Sequence, residues 1–342
     1  MTLVSAIVPT YDRPSFIDGA VETALAQTHD EMEVVVVCDP PVEETRAVLE
    51  RYADDERVRA VYNDERVGIA ASRNRAVELA RGEYVCILDD DDRWGPQKVE
   101  KQLEVMEANP GCGAVYTGGL VRKDGRIVGR YQPSMSGDIY PEILARFGLK
   151  PYSGHMIRAE CFETVGGYDT DFDCGEDWDH AIRVAREYEY EYVPEPLVVR
   201  QFHDSNASEQ AVDQVDRLQL DLEESMDIAG RIWSKYREEL ERHPDVQRRL
   251  RHGRHVSYGW TEIERNNRRR AFRYGWEAAK YGPTIASFAV CCFALLGPSV
   301  LDLVRSVRDT VTDSHIDRSA VDWQRETRTE PTTDEAEPLP RA

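Results

Sequence analysis

The sequence predicts an α/β fold, a mostly parallel sheet flanked by helices, with a C-terminal helical appendage. Three observations predict it. Short apolar runs alternate with amphipathic runs through the first 120 residues. From residue 211 to 281 the pattern becomes helical and highly charged. At 342 residues, the chain can hold one large domain and an appendage. Strand–helix alternation of this kind puts a parallel sheet between helical layers, and such sheets bind ligands at the carboxyl ends of their strands.

The elements follow in order. Leu3–Val8 is a short apolar run, hence a buried strand, and Ile17, Ala20, Val21, Ala24 and Leu25 recur at helical spacing. Glu33–Cys38, almost wholly valine, is the second strand and Glu43–Tyr52 the second helix. Arg57–Tyr62 is the third strand; Ala70–Ala80 is helical and ends at Arg81-Gly82. Tyr84–Leu88 is the fourth strand. Pro96 then opens a helix continued by Val99, Leu103 and Met106, and Ala114–Thr117 is the fifth strand. Beyond it the pattern predicts a hairpin around Lys123-Asp124-Gly125-Arg126, short helices at 140–147 and 159–165, a helix over Glu176–Glu187 and an extended Tyr192–Phe202. The reading divides the chain into a catalytic domain (1–210), a helical basic and apolar region (211–308) and a polar, disordered acidic tail (309–342).

Composition narrows the function. The net charge is −21, with six lysines against 37 arginines and 64 acids. Such an acidic, lysine-poor balance fits a high-salt cytoplasm, where salt screens self-repulsion, and so a halophilic source. It argues against a nucleic-acid partner, which needs clustered basic charge. The seven cysteines include no CxxC pair and several sit in apolar runs, so they read as buried hydrophobes in a reducing compartment. Met1-Thr2-Leu3-Val4 leads straight into a strand rather than a signal peptide, so a cytoplasmic catalytic part is expected.

Four segments carry chemistry. Leu88 ends a hydrophobic strand, and Asp89, Asp90, Asp91 and Asp92 follow it. Adjacent carboxylates repel and are best tolerated beside cations; magnesium or manganese with substrate phosphates is the natural partner. Alternate residues of an extended chain face one way, so Asp89 and Asp91 can converge on one ligand, although an acidic turn capping a helix would look the same. Pro9-Thr10-Tyr11-Asp12-Arg13, after the first strand, can present backbone amides and an aromatic face to a nucleotide. Arg73, in Ala71-Ser72-Arg73-Asn74, can meet a phosphate bidentately. Gly175-Glu176-Asp177-Trp178-Asp179 sets acids at a helix start, where they either complement the macrodipole or supply a general base.

Taken in order, Ile7-Val8-Pro9-Thr10-Tyr11-Asp12-Arg13, Val36-Val37-Cys38-Asp39, Arg66-Val67-Gly68 with Ala71-Ser72-Arg73-Asn74, Ile87–Asp92, and Gly166-Gly167-Tyr168 with Gly175–Asp179 resemble the family 2 glycosyltransferases of GT-A fold, over residues 2 to 205. The resemblance implies an inverting transfer from a nucleotide sugar, with UDP the common case. By it, Pro9, Thr10, Tyr11 and Asp12 border the donor base and ribose and Asp39 reads the base. Arg73 lies near the nucleotide, Asp89 borders the ribose, and Asp91 binds Mg2+ or Mn2+. Asp177 is the catalytic base, Glu176 and Trp178 shape the acceptor site, and His203 lies near metal and diphosphate. One departure is Cys38-Asp39-Pro40-Pro41 where the family has Asp-Asp-Gly-Ser, a stiffer turn beside the base. Two other classes compete. A nucleotidyltransferase would want a glycine-rich basic loop after the first strand, which Pro9-Thr10-Tyr11-Asp12 is not. A non-catalytic nucleotide-sugar-binding scaffold would lack the base or metal ligand, yet Asp91 and Asp177 are both present.

The appendage has its own signal. Residues 248 to 280 hold nine arginines and one lysine against three acids, a net of +7. The apolar run Ile285–Leu296 follows; at 12 residues it is shorter than the roughly 20 needed to span a bilayer. The pair favours an interfacial or re-entrant helix docked on an anionic membrane at its inner face, over a transmembrane helix or a helix packed on the catalytic domain, and would suit a lipid-linked acceptor such as a dolichol-phosphate-linked glycan.

Overall fold

The computed structural model describes residues 2–40, 42–202 and 228–296. The first half follows the predicted alternation: β1 (Val4–Thr10), α1 (Pro14–Leu25), β2 (Met32–Cys38), α2 (Glu43–Glu50), β3 (Val58–Tyr62), α3 (Ile69–Leu79) and β4 (Tyr84–Ile87). β5 (Arg93–Trp94), α4 (Lys98–Ala108), β6 (Cys112–Lys123), β7 (Arg126–Tyr131), α5 (Glu142–Ala145), a 3-10 turn at Tyr152–Gly154, β8 (Met156–Arg158), α6 (Ala159–Val165), α7 (Glu176–Glu187) and β9 (Glu189–Gln201) follow. The helical region comprises α8 (Ile228–Lys235), α9 (Arg237–Arg242), α10 (Pro244–Glu264), α11 (Arg268–Tyr281) and α12 (Ile285–Leu296).

One sheet runs β3-β2-β1-β4-β8-β6-β9-β5, with β7 paired to β6. β1 through β4 pair in parallel, as does β6 with β9, while β8 is antiparallel to β4 and β6. Alternation along the strands splits the core in two. Ile7, Val35, Val37, Val85 and Ile87 pack on the face covered by α3, α5, α6 and α7. Ala6, Val8, Val34, Val36, Cys86 and Leu88 pack on the face covered by α1, α2 and α4. Burial on both faces is why these strands read as unbroken apolar runs. Each fully buried valine contributes about 1.5–3 kcal/mol before conformational entropy is counted.

Three features differ from the sequence reading. The fifth strand predicted at 114–117 is the longer β6, which continues into the β6–β7 hairpin through Asp124 and Gly125, both at positive φ. β8 has three residues, too few for periodicity to register. β9 begins at Glu189 and carries Pro194 and Pro196, which an unbroken ladder would not tolerate. The register against β6 shifts at Thr117–Gly118–Gly119, and a Cβ on Gly118 would lie 2.9 Å from the Glu195 carbonyl. Glycine admits the prolines there.

Ile232, Trp233, Tyr236, Leu240, Val246 and Leu250, from α8 to α10, join the same core cluster as α5, α6 and α7. Ile263, Ala271, Val290 and Ala294 form a separate small cluster between α10, α11 and α12. His203 and the 309–342 tail lie outside the described residues.

Candidate active site

Because β1 to β4 run in parallel, the loops that leave them gather at one edge. There Thr10, Asp39, Asn63 and the aspartate run come together. The four aspartates do not share one environment. Arg13 donates from Nη1 to Asp91 Oδ2 at 2.6 Å and to Asp90 Oδ1 at 3.1 Å. Thr10 Oγ1 donates to Asp90 Oδ2 at 2.7 Å, so the buried Thr10 hydroxyl is engaged within the loop. Burial, reinforced by the Asp91 charge and opposed by Arg13, raises the Asp90 carboxyl to about 7. Asp92 turns inward, accepting from Ser153 Oγ at 2.5 Å and from the Gln201 amide at 3.3 Å. Burial, and then the charges of Asp91 and Asp89, hold it well above the usual carboxylate range. Asp89 is the aspartate of the run that faces α7.

Arg73 makes that connection. The side chain, 4% exposed, donates from Nη2 to Asp89 Oδ1 at 2.7 Å and from Nη1 to Glu176 Oε1. It lies over the rings of Tyr152 and Tyr168, at 5.0 and 5.5 Å. Burial opposes its charge, but Asp89 and Glu176 more than offset that. The guanidinium thus ties the end of β4 to the start of α7, elements far apart in sequence. Gly175, at φ +94°, begins α7, and a Cβ there would lie 2.6 Å from Ile228 at the start of α8. Asp177 follows Glu176 in the first turn, half-buried, with Oδ1 accepting from the Trp178 amide at 2.7 Å. Burial raises its carboxyl above the usual range, opposed first by Arg73. Its neighbour Trp178 faces the core instead: its indole donates to the Ile143 carbonyl at 2.6 Å and packs near Phe147. The acceptor role expected of Trp178 is therefore not carried by an exposed indole: the ring is buried and supports α5.

Asp39 occupies the end of β2, buried. Oδ1 accepts from the Val67 amide (2.7 Å) and Asn63 Nδ2 (3.2 Å), and Oδ2 from the Gly68 amide (2.7 Å). It therefore pins the loop that opens α3. In the loop after β1 Tyr11 is exposed, with the Arg66 guanidinium 4.3 Å from its ring centroid. Asp12 adopts φ +49° beside it, and Pro9 is buried within β1.

Sequence reasoning gave no role to Arg13, Ser153 or Lys98, nor to Asp90 and Asp92 beyond their charge. Ser153 accepts from the Asp89 amide while donating to Asp92, so one hydroxyl holds both ends of the run. Its carbonyl accepts from Trp94 Nε1 at 2.7 Å. Lys98, fully buried, sits 4.1 Å over the Trp94 ring and donates to Gln102 Oε1 at 2.6 Å. Gln102 in turn donates to the Gly154 carbonyl. A signal existed: Lys98 and Gln102, four apart, interrupt the apolar face made by Val99, Leu103 and Met106.

The donor set suits a small divalent cation. Among the described residues no cluster of three or more His, Cys, Asp or Glu side chains surrounds a common point. Magnesium and manganese commonly take only one or two carboxylates, completing their shell with phosphate and water oxygens. Asp91, the expected ligand, is compatible with that requirement, and the cation now beside it is Arg13.

The model of Glycosyl transferase family 2 matches residues 5–161. An uncharacterized glycosyltransferase of Haemophilus influenzae is 31% identical over 214 residues, covering 60% of this chain and 70% of that protein. The chain belongs to glycosyltransferase family 2. A putative teichuronic acid biosynthesis glycosyltransferase of Bacillus subtilis, TuaG, is 42% identical over 125 residues; the match spans 36% of this transferase and about half, 49%, of that relative. The glucosyl-dolichyl phosphate glucuronosyltransferase of Haloferax volcanii is 32% identical over 184 residues, 49% of this chain and 56% of that one. The mannosyltransferase PcManGT of Pyrobaculum calidifontis, solved with GDP-Man and Mn2+, superposes with a TM-score of 0.55 at 20% identity, over 86% of this chain and 80% of that one. That likeness establishes the GT-A-like fold. As a family 2 glycosyltransferase the protein is an enzyme, which removes the nucleotidyltransferase and scaffold readings. Glu176 and Asp177 lie beyond the residues matched by the family model, and Arg73 joins Glu176 to its aspartate run.

Proposed function

We propose that this transferase moves a sugar, with inversion, from a nucleoside-diphosphate sugar to an acceptor hydroxyl, with UDP-sugar the favoured donor. The observation that supports the reading is the Arg73 bridge between Asp89 of the aspartate run and Glu176, the residue before Asp177. The Asp177 carboxylate takes the proton of the acceptor hydroxyl as its oxygen attacks the anomeric carbon, and the bond to the diphosphate breaks. A general base needs proton affinity near the working pH, and the upward shift at Asp177 is in that direction. A magnesium or manganese ion held by Asp91, with His203 a further candidate, supplies Lewis-acid neutralisation of the leaving diphosphate when bound. Asp89 borders the donor ribose and Arg73 holds it in place. Asp39 Oδ2 accepts one donor among the described residues, and a carboxylate oxygen has room for two, so a base N–H can be read there. Tyr11 and Arg66 wall that slot; Thr10 and Asp12 shape its floor and rim, and Glu176 the acceptor side.

A lipid-linked acceptor is the class we favour, worked on at the inner face of the membrane. The name of the Haloferax volcanii relative supports it, as does the basic and apolar C-terminal region. The charge of −21 and the scarcity of lysine support a haloarchaeal origin. The test is a donor screen. Release of nucleoside diphosphate from UDP- and GDP-sugars is read with Mn2+, Mg2+ or chelator, with and without lipid extract. Metal-stimulated release that falls about a hundredfold or more in Asp91→Asn is expected. Absence of release from every donor, or an Asp91→Asn variant with full metal-dependent turnover, would contradict the reading.

A further inference from the structure

In the α11–α12 hairpin the ordinary distribution of side chains is reversed. α12 has the sequence IASFAVCCFALL and carries no charged side chain. Val290 and Ala294 pack inward against Ala271 and Ile263, and the buried Ser287 hydroxyl is bonded to Thr284. The two helices approach closely: a Cβ on Gly275 would lie 2.7 Å from Cys291 Sγ. Packing thus uses one side of α12 and leaves the other to solvent. On that side Ile285 is 91% exposed, Phe288 58% and Leu295 63%, with Cys292 between them. The spacing of three, four and three residues sets them on one helical face. α11 adds Phe272 and Trp276, the latter 58% exposed. Soluble proteins seldom leave a continuous apolar patch of this kind without a partner.

The surrounding charge identifies the partner. α11 holds Arg268, Arg269, Arg270, Arg273 and Lys280 against Glu277, in a chain of net charge −21. Arg268 is spent on the fold, donating to the Ala294 and Leu295 carbonyls at the end of α12. Arg269 and Arg273 are exposed, each three residues before an aromatic position, Phe272 and Trp276, and so on the same helical side. An apolar stripe with aromatic residues and flanking arginines matches the boundary between anionic headgroups and acyl chains. A second copy of this chain fits less well, because a two-fold contact would bring two arginine-rich patches of like charge together. Twelve residues at about 1.5 Å rise reach only about 18 Å, well short of a bilayer core of roughly 30 Å. Among the described residues no helix is long and apolar enough to cross a membrane.

The geometry points to the α11–α12 hairpin as an interfacial anchor, with Trp276 and Phe288 lying in the headgroup boundary of an anionic bilayer and Arg269 and Arg273 against its phosphates. This deepens the membrane reading above and rests on it for the partner, but not on the donor chemistry.

Vesicle flotation tests it without donor or acceptor, so failure would leave the transferase reading standing. Full-length protein is floated with phosphatidylcholine vesicles, and with vesicles of phosphatidylcholine and phosphatidylglycerol in equal parts, at low and at molar salt. The wild type is expected to float with the anionic vesicles at both salts. Joint substitution of Trp276→Glu and Phe288→Glu weakens binding at both salts by about a hundredfold, roughly tenfold per aromatic. Joint Arg269→Glu and Arg273→Glu removes the preference for anionic vesicles at low salt and leaves binding at molar salt within a few-fold, because salt already screens those charges. Circular dichroism and donor binding confirm that each variant is folded. A wild type that stays unbound at both salts, or aromatic variants that float as well as wild type, would overturn the assignment. So would a dimer, seen by sedimentation, that Phe288→Glu dissolves.

Discussion

The aspartate run and the α11–α12 hairpin invert the usual distribution of side chains in opposite ways. At the first, charge is buried and each carboxylate has a partner: Arg73 for Asp89, Thr10 and Arg13 for Asp90, Arg13 for Asp91, Ser153 for Asp92. At the second, large apolar groups are exposed on the face turned away from their small core. Buried charge is costly without compensation, and exposed apolar area is costly in water. Each cost points to a ligand, a diphosphate with its cation in one case and a lipid surface in the other. The two regions should therefore respond to mutation differently: the first through folding stability, the second hardly at all.

Arg73→Met gives the largest expected effect. It leaves the buried Glu176 and the part-exposed Asp89 without their shared cation, at a cost of about 3 kcal/mol carried mainly by Glu176, read by urea denaturation. A loss below about 1 kcal/mol would mean that the bridge is incidental.

Lys98 comes next, and its sign can be worked out. Burial pushes the ammonium down to about 8 from 10.5. Between those values the unfolded chain binds more protons than the folded one, so stability rises with pH across that window. Below about 8 the penalty is present in full, on the order of 3 kcal/mol. In Lys98→Met the slope of stability against pH between about 8 and 10.5 should flatten relative to wild type. Parallel curves for the two proteins would show that the ammonium is not desolvated.

Arg13→Gln is expected to cost about 1–2 kcal/mol in chelator, less than a fully buried pair because the guanidinium is partly exposed. Added Mn2+ should restore part of the loss in thermal denaturation, since a divalent cation can take over the neutralisation of Asp90 and Asp91. Equal stability of variant and wild type in chelator would contradict this. At the other pole, Phe288→Ser should change stability by less than about 0.5 kcal/mol, because the ring is 58% exposed and loses few contacts. A larger loss would show that the exposed stripe is packed after all.

The contrast also explains what could be read from the sequence. The alternation that gave β1 to β4 and their helices is local, because strands buried on both faces must be apolar throughout, as Val34–Val37 are. The hairpin's basic and apolar halves were equally visible, being runs in sequence. The partners of the aspartates were not. Ser153 meets Asp92 across 61 residues and Arg73 meets Glu176 across 103, and nothing in either neighbourhood announces the other. Trp178 shows the converse. Its place beside Asp177 suggested a cleft residue, yet the first turn of α7 sends the indole inward to the Ile143 carbonyl. β9 was blurred by Pro194 and Pro196, which sit where its register against β6 shifts and where Gly118 pairs with Pro196.

The central claim is that the cleft joined by Arg73 performs transfer with Asp177 as its base. Asp177→Asn keeps the shape of the side chain and its bond from the Trp178 amide while removing the proton acceptor. The direct measurement is single-turnover transfer from a UDP-sugar to a lipid-extract acceptor, beside donor affinity by calorimetry, for wild type and variant. The account predicts unchanged donor affinity and transfer slowed by about a hundredfold to ten-thousandfold. Transfer at the wild-type rate with intact donor binding would contradict it.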